Sequence, residues 1–146
     1  MGFLADMQGA VIGLDTAPLI YFIEKHATYH PLLRPFFVAL ADGKYTVATS
    51  TVTLVETLVH PIRAAHLELA QRYREILLNA PHIMTYDLSP NIAQIAAGIR
   101  ANHNIRTPDA IQLATAVHAG ATFFLTNDRD LLKFPRLKVL VVDDLA

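Results

Sequence analysis

The sequence contains no cysteine, which excludes a thiol nucleophile, an iron-sulfur cluster, a cysteine-based zinc site and a disulfide framework. Serine is almost as scarce. Ser50 and Ser89 are the only two, and neither stands in the G-x-S-x-G elbow of a serine hydrolase. No G-x-G-x-x-G occurs, and Gly43-Lys44 lacks the glycine loop that precedes the lysine of a P-loop, so the two common phosphate cradles are missing. Charge is also thin. Charged residues make up 17% of the chain and nearly cancel at a formal net charge of −1, which leaves no overall field to capture nucleic acid. An RNA substrate would need a local cluster of Arg and Lys. No apolar run reaches the roughly 18 residues of a membrane span. The opening MGFLADMQGAVIGL lacks the basic start and long apolar stretch of a secretion signal. These absences lead us to expect a soluble, cytoplasmic protein with no membrane partner.

What is present is a core. Hydrophobic residues form 53% of 146 positions, enough for one domain spanning 1–146 that buries roughly 70% of the surface of its unfolded chain. Residues 1–10 carry no clear pattern and are expected to be a loosely ordered N-terminal extension. Five short apolar runs read as strands: 11–14, 45–49, 83–86, 122–126 and 139–142. Helical patterns fall between them at 17–26, 32–41, 51–60, 64–79, from Ser89-Pro90 onward, and from Thr107-Pro108 to Ala119. Pro61 is expected to stop the third of these. Both Pro90 and Pro108 suit a first helical turn, where the missing donor would be unpaired anyway. In the last helix Ala110, Leu113, Ala114 and Val117 keep the spacing of a buried face. Strands that are apolar throughout, alternating with helices, predict an α/β domain with a mostly parallel sheet of about five strands, covered on both faces.

Ligands of such sheets bind beyond the carboxyl ends of the strands, so acids at those ends matter. Asp15 follows the first strand, Asp128 follows the fourth, Glu56 lies on the helix after the second, and Asp109 lies in the first turn of the Thr107 helix. Taken singly, each has an ordinary structural use. Asp15 could cap the next helix, Glu56 could complete a capping box with Thr53, and Asp109 and Asp128 could complement helix dipoles. Glu56, with Val52, Val59 and His60 around it on the helix, is expected to lie towards the packed face. Together the four would repel unless some were protonated or a cation neutralised them. A hard, oxygen-seeking ion, Mg²⁺ or Mn²⁺, is the natural partner. An aspartyl phosphatase would want a second acid two residues after Asp15, where Ala17 stands. His26 and His30 have helical ligand spacing but no third ligand nearby.

The acids sit inside four segments, LDTAPLIYFIE at 14–24, VTLVETLVHP at 52–61, RTPDAIQLATAVHAGA at 106–121 and FLTNDRDL at 124–131. These resemble, in order, the motifs of PIN-domain ribonucleases. In size and single-domain form the chain is most similar to the VapC-type toxins of toxin-antitoxin pairs. The resemblance implies a PIN-like three-layer α/β/α fold and a catalytic, metal-holding set of Asp15, Glu56, Asp109 and Asp128, with Thr16 and Thr126 supporting it and Asp130 as a rival to Asp128. It implies Mg²⁺- or Mn²⁺-dependent hydrolysis of RNA, leaving a 5′-phosphate and a 3′-hydroxyl. A cognate antitoxin and a homodimer are its implied partners, the dimer using apolar surface on the first helices. Arg100, Arg106, Arg129, Lys133, Arg136 and Lys138 are candidates for the rim of an RNA groove. A catalytically silent PIN-like binding module, and an RNA-processing nuclease without a toxin role, are the alternative readings.

Overall fold

The computed structural model describes residues 2–146. Its sheet has five parallel strands in the order β3-β2-β1-β4-β5, formed by β1 (Val11–Leu14), β2 (Thr46–Ser50), β3 (Ile83–Tyr86), β4 (Phe123–Thr126) and β5 (Lys138–Val141). Around it run α1 (Gly2–Asp6), α2 (Thr16–Ile23), α3 (Tyr29–Ala41), α4 (Thr51–Arg63), α5 (Leu67–Asn79), α6 (Pro90–Asn102) and α7 (Thr107–His118). Short 3₁₀ turns follow β4 and β5. No helix among the described residues is long and apolar enough to cross a membrane.

Two separate cores sandwich the sheet. On one face Ile12, Leu14, Val47 and Leu125 meet Leu19, Phe36, Leu40, Tyr73 and Leu77 of α2, α3 and α5. On the other, Phe124 meets Ile92, Ala96, Ala110, Leu113 and Ala116 of α6 and α7. Strands buried on both sides must be apolar throughout, as the sequence pattern required. Helix α7 lies close on the sheet because β1 presents Gly13 there. A Cβ at that position would come within 2.6 Å of both the Ala116 Cβ and the Phe124 ring.

Several boundaries differ from the sequence reading, for local reasons. Residues 2–10 are no loose extension, since Gly2–Asp6 is helical and Met7 is fully buried in the first core. Met1 lies outside the described residues. Pro61 does not stop α4. It occupies the last turn, fully inside the helix, and the stop comes beyond Arg63, where the chain turns at Ala65, whose φ of 52° is left-handed. Helix α5 accordingly starts at Leu67, with the His66 ring nitrogen accepting from Leu69 N. Pro90 is the first residue of α6 after the Ser89 cap, but Thr107 opens α7 from within the helix. The capping position there is Arg106, which makes no side-chain cap bond.

Candidate functional site

β1 is the point from which the sheet grows in both directions, to β2 on one side and β4 on the other, and a crevice opens beyond the carboxyl ends of such strands. Asp15 occupies that position on β1. Its backbone N–H donates to Leu125 O on β4, one carboxylate oxygen caps α2 by accepting from Thr16 N at 2.8 Å, and the other accepts from the Thr126 hydroxyl at 2.7 Å. Capping and a site role are therefore compatible, one oxygen serving each. Thr126, fully buried at the end of β4, also accepts from Asp128 N at 3.0 Å, tying the two loops together.

The other acids approach from the helices and from the β4 turn. Asp109, three residues into α7, keeps only 16% of its side chain exposed and lies 3.4 Å from Arg106, whose own side chain is 81% exposed. Asp128 is exposed and caps the following 3₁₀ turn, accepting from Asp130 N. Glu56 is exposed too, contrary to the helix-face expectation, because the buried side of α4 is formed by Thr53, Thr57 and Pro61. Its carboxylate nevertheless reaches inward to accept from the Thr16 hydroxyl at 2.6 Å. The capping-box role for Glu56 fails, because the residue that caps α4 is Ser50 and not Thr53. Asp130 points elsewhere, paired with Lys133 at 2.9 Å.

The electrostatics record a shared environment. Burial pushes the Asp15 carboxyl above the ordinary aspartate range, against the hydrogen bonds from Thr126 and Thr16, and repulsion from Asp109 and Glu56 adds to the rise. Asp109 is raised as well, first by burial, with Arg106 opposing and Asp128 and Glu56 reinforcing. Asp15 and Asp109 thus each feel other acids of the set. They do not close into a ready-made cage. Among the described residues no three Asp, Glu or His side chains stand together as a group that could hold a metal ion, and oxygens of Asp15, Glu56 and Asp128 are engaged by hydroxyl or amide donors. The donor chemistry still suits a hard divalent cation, being all oxygen and anionic. No ion pair among the described residues involves Asp15, Glu56 or Asp128.

The remaining candidates have structural uses. His26 accepts from Thr28 N and Tyr29 N, and His30 stacks on Phe22. Of the proposed basic rim, Arg129 grips Asp144 with two bonds, Arg100 donates to Ile105 O, Lys133 holds Asp130 and the Asn104 carbonyl, and Lys138 lies over the Phe123 ring. Phe36 and Phe37 are core residues, with Phe22 stacked on Phe37. The exposed apolar row lies mainly on α4, at Val55, Val59 and Ile62, and only Val38 of the first helices joins the large exposed hydrophobics. The site partner that sequence reasoning missed is Gln112, 3% exposed on α7 and bonded to Thr16, Thr53 and Ser50.

A five-stranded parallel α/β domain with an acid, Asp15, directly beyond its central strand defines the class. The chain belongs to the PIN domain family, whose family model matches residues 12–137. The sequence comparison with curated proteins finds no match. Among solved structures, the fold is similar to VapC20 of Mycobacterium tuberculosis, described as a sarcin-ricin loop cleaving toxin. That match has a TM-score of 0.70 at 17% identity over 89% of this chain and 98% of that one. It is also similar to VapBC2 of Rickettsia felis bound to a promoter DNA fragment, with a TM-score of 0.69 at 19% identity over 90% and 98%. A toxin-antitoxin complex from Klebsiella pneumoniae gives a TM-score of 0.66 at 24% identity over 92% and 98%. At these identities the likeness is one of fold.

Proposed function

We propose that this protein is a Mg²⁺- or Mn²⁺-dependent endoribonuclease acting in the cytoplasm as the toxin of a toxin-antitoxin pair, with Asp15, Glu56, Asp109 and Asp128 as its metal-holding acids. The observation that carries this reading is Asp15. It is a half-buried carboxylate at the switch point of the sheet, raised by burial and by two neighbouring acids and paired with no base among the described residues. A carboxylate kept there at an electrostatic cost is accounted for by a cation that the site is built to receive.

A bound divalent ion would polarise the scissile phosphate and lower the pKa of an attacking water. The chain's own residues do the rest. Thr126 and the Thr16 amide clamp the two oxygens of Asp15, so its carboxylate presents a fixed edge to the crevice. Thr16 holds Glu56 over the same crevice, and α7 carries Asp109 to it. In the hydrolysis a new bond forms from water oxygen to phosphorus and the bond to the 3′ oxygen breaks. The 3′ oxygen leaves with a proton, and the 5′ side keeps the phosphate. Arg106, largely exposed yet beside Asp109, is the base placed to meet a phosphate. The antitoxin reading follows the VapBC2 and toxin-antitoxin complexes among the structural relatives. A basic residue of the antitoxin tail would neutralise the acids as the metal does. A homodimer through the exposed α4 row is the assembly we expect.

The deciding experiment incubates a mixed structured RNA pool with purified protein and Mg²⁺ or Mn²⁺, with and without chelator. Cleavage that chelator abolishes, leaving 5′-phosphate ends, supports the proposal. Absence of cleavage across varied RNAs favours the silent binding module. Cleavage without growth arrest on expression favours an RNA-processing nuclease. The pH profile supplies a second check. Asp15 and Asp109 stay protonated to higher pH than ordinary carboxyls, and a protonated carboxyl is a poor ligand. At subsaturating metal, activity should therefore fall on the acid side at a pH above the usual aspartate value of about 4. The fall should move to lower pH as metal is raised, because metal and proton compete for the same carboxylates. An acid limb that does not move with metal concentration would count against Asp15 and Asp109 as ligands.

A further inference from the structure

Beneath the acids lies a buried polar chain that joins three elements. Gln112 on α7 donates from its amide nitrogen to Thr53 Oγ1 at 2.6 Å and to Thr16 Oγ1 at 3.3 Å, and its carbonyl oxygen accepts from Ser50 Oγ at 3.0 Å. Thr53 and Ser50 belong to the β2–α4 corner, and Thr16 opens α2.

Counting protons fixes the direction of this chain, since each hydroxyl has one to give. Thr49 spends its proton on Leu14 O at 3.0 Å, so across the 2.8 Å contact with Thr53 it can only accept. Thr53 has then used its own proton, and its 3.2 Å approach to Thr16 carries none from it. Thr16 also receives the Gln112 N–H, and its single proton goes to Glu56 Oε1 at 2.6 Å, a carboxylate oxygen that can only accept and that lies nearer than Thr53 Oγ1. Every proton has one acceptor, and no buried side-chain nitrogen or oxygen among the described residues lacks a partner. Turning the Gln112 amide over breaks this order. Its oxygen would then stand 2.6 Å from Thr53 Oγ1 with no proton between them, and the Ser50 hydroxyl would lose its acceptor.

We propose that Gln112 is a positioning residue of the metal site. It fixes the Thr16 hydroxyl as a donor and thereby holds the otherwise solvent-exposed Glu56 over Asp15. This rests on the reading of the acids as metal ligands. A free glutamate averages over its rotamers and loses that freedom when it binds an ion. The Gln112–Thr16 relay removes the averaging beforehand, as outer hydrogen-bond partners of metal ligands commonly do.

The test replaces Gln112 by Leu in the full chain and has two readouts. Side-chain NMR couplings of Glu56, measured without metal, are expected to show one rotamer set in wild type and averaged values in Gln112→Leu. Unchanged Glu56 couplings overturn the positioning role. Calorimetry with Mn²⁺ is expected to show binding weakened about tenfold by Gln112→Leu, and no further loss when Gln112→Leu is added to Glu56→Gln. Additive losses would mean that Gln112 supports the fold alone, and would overturn the proposal. If Glu56 is ordered by Gln112 but wild type binds no Mn²⁺, it is the metal-site reading that fails, and the relay stands without its catalytic meaning. Should Gln112→Leu not fold, Thr16→Val cuts the relay one residue on and is held to the same criteria. Thr16→Ser, which keeps the hydroxyl, is expected to restore wild-type couplings.

Discussion

Asp109→Asn is expected to abolish metal-dependent cleavage while leaving the protein as stable as wild type, or more so, at neutral pH. The substitution keeps shape and removes one of the proposed anionic ligands, so cleavage should fall by more than about a hundredfold, the upper end of what losing an outer-sphere partner costs. The stability half follows from the titration. The Asp109 carboxyl is raised in the folded state, chiefly by burial, so the fold binds its proton more tightly than the unfolded chain does. The stability this contributes is fully present below the unfolded pKa of about 4 and is lost as pH rises through the higher folded value. Above that value wild type carries a charge its fold disfavours and the asparagine does not. Two losses oppose the gain. The Arg106 pair is mostly in solvent and weak, and the dipole of α7 favours an anion in its first turn by about 0.3–1 kcal/mol. Thermal unfolding from pH 4 to 8 should show the variant gaining on wild type as pH rises and the difference closing near pH 4. A variant that melts well below wild type at neutral pH would show that Asp109 is a structural acid.

The parts of this molecule legible in the sequence are those where one physical term dominates. Apolar strand runs could only be a sheet covered on both faces, and the family motifs placed Asp15, Asp109 and Asp128 at strand and helix ends where the structure has them. Legibility failed where two terms compete. Glu56 reads as packed from helix neighbours Val52 and Val59, yet Val59 is itself 44% exposed and the inward face is held by Thr53 and Thr57. Gln112 was invisible for the converse reason. On an amphipathic helix a glutamine reads as the wet side, but α7 lies between the sheet and α6, with Leu113, Ala114, Thr115 and Ala116 all buried around it. A polar residue in that setting must be satisfied by partners distant in sequence, here 59 and 96 residues away. The T-x-x-E spacing that suggested a capping box misled because Ser50, not Thr53, caps α4, which frees Thr53 to accept from Gln112.

Gly13→Ala is expected to be the most damaging single-methyl change in the chain, and to damage the site as well as the fold. A methyl at Gly13 would sit 2.6 Å from the Ala116 Cβ, fixed to the backbone of α7, and 2.6 Å from the Phe124 ring, which is fully buried on the neighbouring strand. Neither neighbour is a flexible tip that can swing away, so the strain must be taken by α7 rising from the sheet. Overpacking of this kind costs about 1–3 kcal/mol, and two simultaneous clashes place Gly13→Ala at the upper end. Helix α7 carries both Asp109 and Gln112, and Asp15 is two residues beyond Gly13. Lifting the helix therefore withdraws one acid from another and stretches the Gln112–Thr16 bond, already the longest of the relay at 3.3 Å. The expected result is a lower midpoint in urea with an unchanged slope, together with a loss of cleavage under conditions where the variant is still folded. A variant with the lower midpoint but full activity would mean that the strain is absorbed by the Phe124 ring on β4 and that α7 keeps its seat, separating the packing of the sheet from the geometry of the acids.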